Sequence, residues 1–129
     1  MNDELLAKVP TGLLIGDSWR DSSDGGTFTV ENPATGEHLA TLASATRAVA
    51  IAALDSACAS QEARVRTPAR ARSEILRNAF ELINERAEEF ATLMTLEMGK
   101  PLAEARGEVT YGNEFMRWFC EEAVRVYGR

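Results

Sequence analysis

Histidine is nearly absent from this 129-residue chain, in which His38 is the only one. A single imidazole cannot build a multi-histidine zinc site, and it leaves a Ser–His–Asp triad without a persuasive centre. Cysteine is scarce too. Cys58 and Cys120 lie far apart in unrelated contexts, which excludes a disulfide framework and a CxxC metal site. Each sits among apolar residues at helical spacing, so each is expected to pack as a small hydrophobe. Neither GxGxxG nor GxxxxGK[ST] occurs, so no glycine-rich phosphate loop is available. No apolar run reaches the length of a membrane span. The start, MNDELLAKVP, lacks the basic beginning and apolar middle of a signal peptide. A cytoplasmic protein with no membrane partner is expected. Positive charge is in deficit, with 14 Lys and Arg against 20 Asp and Glu and a net charge of −6. Such a chain repels phosphate backbones, so nucleic acid is not an expected partner. Arg64, Arg66, Arg70, Arg72 and Arg77 form a basic run, which reads as a solvated helix start or as salt-bridge partners for acidic neighbours.

What is present is a change of period along the chain. Residues 1–12 read as a mobile arm ending at Pro10 and Gly12. Residues 13–43 hold short β-prone pieces at about 13–15, 18–20, 27–31 and 37–42. Gly-Asp, Asp-Gly-Gly and Pro-Ala-Thr-Gly separate them and supply turn geometry. These strands are too short to stand alone and should lie against helices or extend another sheet. Residues 44–129 turn helical. Ser44 or Thr46 can cap a helix over about 46–60, with Val49, Ala52, Ala53, Ala57 and Cys58 on one face. Thr67-Pro68 predicts the next start, with threonine as the cap and proline at the first helical position. Its apolar stripe is Leu76, Phe80, Ile83, Ala87, Phe90 and Met94. Running to Met98, that helix would span about 46 Å at 1.5 Å per residue. This length predicts a break near Asn84–Glu88. Gly99 fits the left-handed position that ends a helix, and Pro101 the start of the next.

The last helix, over about 101–127, has two apolar faces. Leu102, Ala105, Val109, Gly112, Met116, Phe119, Ala123 and Val126 form a core stripe, while Tyr111, Phe115 and Trp118 form a second, aromatic face. A helix apolar on two sides is buried between two neighbours, and this sequence offers few elements to cover both. Catalytic candidates are few. Glu88-Glu89 and Glu121-Glu122 are adjacent in a helix, so their carboxylates point about 100° apart and cannot face each other as an acid–base pair. Glu104, Glu108, Glu114 and Glu121 read as a solvated face. Cys120, in mid-helix beside Phe119 with acids following, lacks the electropositive surroundings of a nucleophile. The residues alone thus give a mainly α chain with a short β-hairpin region and no catalytic, metal or cofactor site of its own.

Three segments resemble the N-terminal part of the NAD(P)-dependent aldehyde dehydrogenases, an α/β fold. They are IGDSWRDSSDGGTFTVENPATGEHLATL, TPARARSEILRNAFELINERAEEFATLMTLEMGKPLAEARGEV and EFMRWFCEEAVRVYG. The NPATGE turn and the LEMGKPLAEARGEV joint are the specific elements, and TLEMGKPLAEARGEV with WFCEEAVRVYG is most similar to the succinate-semialdehyde dehydrogenase branch. One departure is Ala63 in QEARVRTP, where many members carry an aromatic residue.

The resemblance implies an enzyme that oxidises a small aldehyde, succinate semialdehyde, to its acid with NAD or NADP. It also implies that the cysteine, glutamate, asparagine and nucleotide-binding units of that chemistry lie outside this sequence. Neither Cys58 nor Cys120 matches the catalytic motif. The isolated chain is then a truncated, inactive piece that binds no cofactor by itself. In the family, the helix matching 101–127 walls the substrate tunnel, which gives Tyr111 and Phe115, and less directly Trp118, a substrate-tunnel position. The plainer alternative is that all three are ordinary core residues against the rest of the subunit. An exposed apolar surface is also compatible with a homo-oligomer, or with a stand-alone helical interaction module that associates through the Tyr111/Phe115/Trp118 face.

Overall fold

The computed structural model describes residues 2–126. They form α1 (Asn2–Leu6), β1 (Leu13–Ile15), β2 (Ser18–Arg20), β3 (Thr27–Glu31), β4 (His38–Ala43), α2 (Arg47–Val65), α3 (Ala69–Glu85), α4 (Ala87–Met98) and α5 (Leu102–Glu122). The chain is mainly α with short antiparallel strand pairs, as the change of period predicts. It divides into two compact units, Met1–Val65 and Arg66–Arg129.

In the first unit, α1 is a short helix inside the stretch expected as an arm. β1 and β2 pair from Leu13↔Arg20 to Ile15↔Ser18, which leaves Gly16-Asp17 as a two-residue turn. Gly16 has φ 67°, the conformation a tight hairpin requires at its first central position. β3 and β4 pair from Thr27↔Ala43, with an irregularity at Val30/Glu31. Asn32 closes their connection: its side-chain oxygen accepts from the Ala34 N–H (2.9 Å) and its carbonyl from the Gly36 N–H (2.7 Å). Thr46, one of the two predicted caps, accepts from the Val49 N–H at 3.3 Å. The small interior of this unit is Ile15 of β1, Ser22 and Val49 of α2.

Two expectations fail in α2. The helix runs to Val65, five residues beyond the predicted end, because the polar tail Gln61–Arg64 carries no helix breaker. Cys58 is exposed, as are Ala52 and Ala57, since only Val49 of this helix is buried.

The second unit is a helical hairpin in which α5 packs against α3 and α4. Pro68 is the N-cap of α3, so the helix begins one residue later than predicted. Its ψ of 144° is still extended, and no side chain caps it. The Arg72 guanidinium instead donates to the Thr67 carbonyl at 2.6 Å. The predicted break falls at Arg86 (φ −106°, ψ 16°). There the guanidinium donates to Glu89 at 2.7 Å and lies 5.7 Å from the Phe90 ring centre. Gly99, at φ 71°, ends α4 with its N–H on the Thr95 carbonyl at 2.9 Å. Pro101 caps α5 from outside rather than opening it. Glu88 and Arg106 join α4 to α5 in a two-pronged pair at 2.6 and 2.9 Å, and Lys100 pairs with Glu108. α5 ends at Glu122, and Tyr127, to which the spacing predicts it to run, lies outside the described residues.

Candidate functional site: the outer face of α5

The inner face of α5 fixes which residues are left outside. Ala105, Asn113 and Cys120 are its buried residues, with Leu102 and Val109 half-buried. The first half of the predicted core stripe holds and the second does not. Gly112 and Phe119 are exposed, and Asn113 and Cys120 take the interior one position along. Counting only apolar residues misses this, because the deciding residue is polar. The Asn113 amide donates to the Phe80 carbonyl at 2.9 Å and to Asn84 Oδ1 at 3.0 Å, both on α3.

At 100° per residue, Phe115, Tyr111 and Trp118 point roughly 130–170° away from that inner face. Their exposures are 48%, 70% and 61%, and Phe119 joins them at 55%. The Tyr111 and Phe115 rings meet edge to face, 5.3 Å apart at 89°, the arrangement aromatic quadrupoles favour. With Trp118, Phe119 and the flanking Glu114, Arg117 and Glu121, they border a hollow of about 480 Å³. Every described residue bordering it belongs to α5, so among the described residues the hollow has one wall. It can offer apolar contact and shape to something laid against it; it cannot enclose a ligand.

Neither a cysteine nor the histidine is among the described residues that border it. Cys120 is turned inward, beside Ser73. His38 starts β4, is exposed, and its Nε2 lies 2.9 Å from Thr41 Oγ1. Among the described residues no three His, Cys, Asp or Glu side chains gather as metal ligands. Both strand pairs are antiparallel, with no parallel strand–helix–strand crossover among the described residues. Such a crossover is the unit that holds a dinucleotide in doubly wound folds. No helix is long and apolar enough to cross a membrane among those residues. The basic run is divided in its use: Arg77 pairs with Glu74 and Glu81, and Arg72 serves the start of α3.

Residues 19–129 match the model of the aldehyde dehydrogenase family. Over 91 residues the chain is 68% identical to a succinate-semialdehyde dehydrogenase of Paenarthrobacter nicotinovorans, covering 70% of this chain and 20% of that protein. Over 128 residues it is 43% identical to the NADP(+) succinate-semialdehyde dehydrogenase of Escherichia coli K12, covering 99% and 26%. An aldehyde dehydrogenase crystal structure from Brucella melitensis biovar abortus superimposes with a TM-score of 0.90 at 42% identity, over 93% of this chain and 25% of that one. The chain thus spans a fifth to a quarter of the length of these relatives.

Proposed function

Because the chain belongs to the aldehyde dehydrogenase family, we propose that it forms the N-terminal part of an enzyme that oxidises succinate semialdehyde to succinate with NAD(P)+. In this reading α5 is one wall of the substrate tunnel. Tyr111 and Phe115 line it, with Trp118 at its margin, and the rest of the subunit supplies the facing wall, the nucleophile and the nucleotide site. The carrying observation is the outward row Tyr111, Phe115 and Trp118, with the Tyr111 and Phe115 rings packed edge to face. Five large apolar side chains left in water on one helix, Met116 and Phe119 included, form the kind of surface a soluble protein covers.

The test is a chimera in which this chain replaces the matching quarter of the Escherichia coli relative. It should reduce NADP+ when given succinate semialdehyde, whereas this chain alone should show no turnover above background. In the chimera, Tyr111→Ala and Phe115→Ala should raise KM for the aldehyde roughly tenfold, about 1.4 kcal/mol of binding. Turnover by the chain alone would overturn its assigned incompleteness. Unchanged KM in both variants would remove the tunnel role.

The same exposed row supports a second reading, a stand-alone helical module that dimerises or binds a partner helix through this face. Light scattering after size exclusion separates the two, since the module associates at micromolar concentration. A monomer that binds no apolar dye counts against the module and against an open aromatic face.

A further inference from the structure

Asn113 is only 3% exposed, yet it sits in the middle of a helix interface whose other most buried side chains are small. Ala91 and Ala105 are fully buried where α4 meets α5, and Ser73 and Cys120 are 5% and 7% exposed where α3 meets it. None of these four sets direction, because a small side chain fits a groove over a range of helix rotations. The amide of Asn113 does set direction. Its two donated bonds, to the Phe80 carbonyl and Asn84 Oδ1, exist at one rotation of α5. Its own Oδ1 is buried with no partner, so it is not there as a fully satisfied polar group. The sequence also carries a rival inner face, Gly112, Met116, Phe119 and Ala123, reached by turning α5 by roughly 60°. By apolar content that rival is the better one, since it would bury Phe119, which stands 55% exposed.

We infer that Asn113 is a positioning residue: its amide locks the rotation of α5 on α3 and so selects which aromatic side chains face outward. One buried polar residue fixing register at some expense of apolar burial is a recognised use of such groups. The lock stands on the geometry alone. Its consequence for substrate, a tunnel wall turned the right way, rests on the function proposed above.

The test uses this chain with Trp19→Phe and Trp118→Phe, and Phe119→Trp as the only indole. With Asn113 in place, emission should be red-shifted and acrylamide should quench it readily. With Asn113→Ala, the indole should turn inward, emission should move to the blue and the quenching constant should fall at least twofold, at unchanged helix content. Asn84→Ala removes one of the two bonds from an exposed position and should give a smaller shift in the same direction, so it decides the matter if Asn113→Ala unfolds the chain. An indole equally exposed in all folded variants would overturn the inference, whatever the chimera's activity. A dead chimera with a normal fluorescence response would instead count against the proposed function and leave the lock standing.

Discussion

α2 and α5 are of similar length, 19 and 21 residues, but α2 buries one residue and α5 buries three spaced along its whole inner side. α2 is rich in alanine on every side, so intrinsic propensity favours the helix, and of its residues only Val49 is buried in the small interior with Ile15. α5 is held by packing along its length and by side chains from α3 and α4: Asn84 to Asn113 and Glu88 to Arg106. The difference shows in what each leaves outside. Exposed apolar residues in the first unit, Leu14, Trp19, Phe28, Ile51, Leu54 and Val65, are scattered over four elements. In the second, α3 leaves Ile75 and Leu82 exposed and α4 Phe90 and Met98, but α5 alone carries five: Tyr111, Phe115, Met116, Trp118 and Phe119. A scattered set is ordinary protein surface, whereas a concentrated one is the kind of patch that marks an interface.

The largest effect expected from this contrast is at the packed helix. Ala105→Leu forces three methylene-sized groups into a fully buried position and should cost about 1–3 kcal/mol in urea unfolding. The matching change Ala52→Leu, on the exposed side of α2, should stay within about 0.5 kcal/mol. Equal costs would erase the distinction between the two helices. Next comes the joint. Gly99→Val places a β-branched residue at φ 71° and should cost about 2 kcal/mol by the same measurement. A neutral result would show that the α4–α5 turn is not held as described.

The smallest effects compare one carboxylate from each unit. Hydrogen bonding from Arg106, and its charge, hold the Glu88 carboxyl below its ordinary value; the Ser22 hydroxyl, followed by the Gly26 N–H, does the same for Asp24. Both pKa values are depressed by folding, so each contribution is fully present above the unfolded value and disappears as pH falls through the folded one. Glu88→Gln and Asp24→Asn should each lower the melting temperature slightly near neutral pH, and both gaps should close on acidification. In 1 M salt only the Glu88 gap should close, since an exposed ion pair is screened while hydrogen bonds from neutral donors are not.

The strand limits were readable because Gly16 and the Asn32–Gly36 turn carry backbone requirements visible in residue type. The break at Arg86 and the stop at Gly99 were readable for similar reasons, a helix too long to continue and a glycine where the left-handed region is needed. The late half of α5 was not readable. Apolar periodicity favours Phe119 inside, and a tertiary amide bond, invisible in a linear pattern, puts Asn113 there instead. Cys58 was misplaced for a related reason: helical spacing predicts a face, but not whether a neighbour exists to cover it. The outward row Tyr111, Phe115 and Trp118 was legible as spacing, and the structure leaves all three exposed on the side away from α3 and α4.

The central claim is that α5 keeps an aromatic face turned away from α3 and α4 and left exposed among the described residues. With Trp19→Phe leaving Trp118 as the only indole, acrylamide quenching of the monomeric chain tests it most directly. The account predicts red-shifted emission and quenching close to that of a free indole side chain. Blue-shifted emission with a strongly shielded Trp118 in the monomer would contradict it.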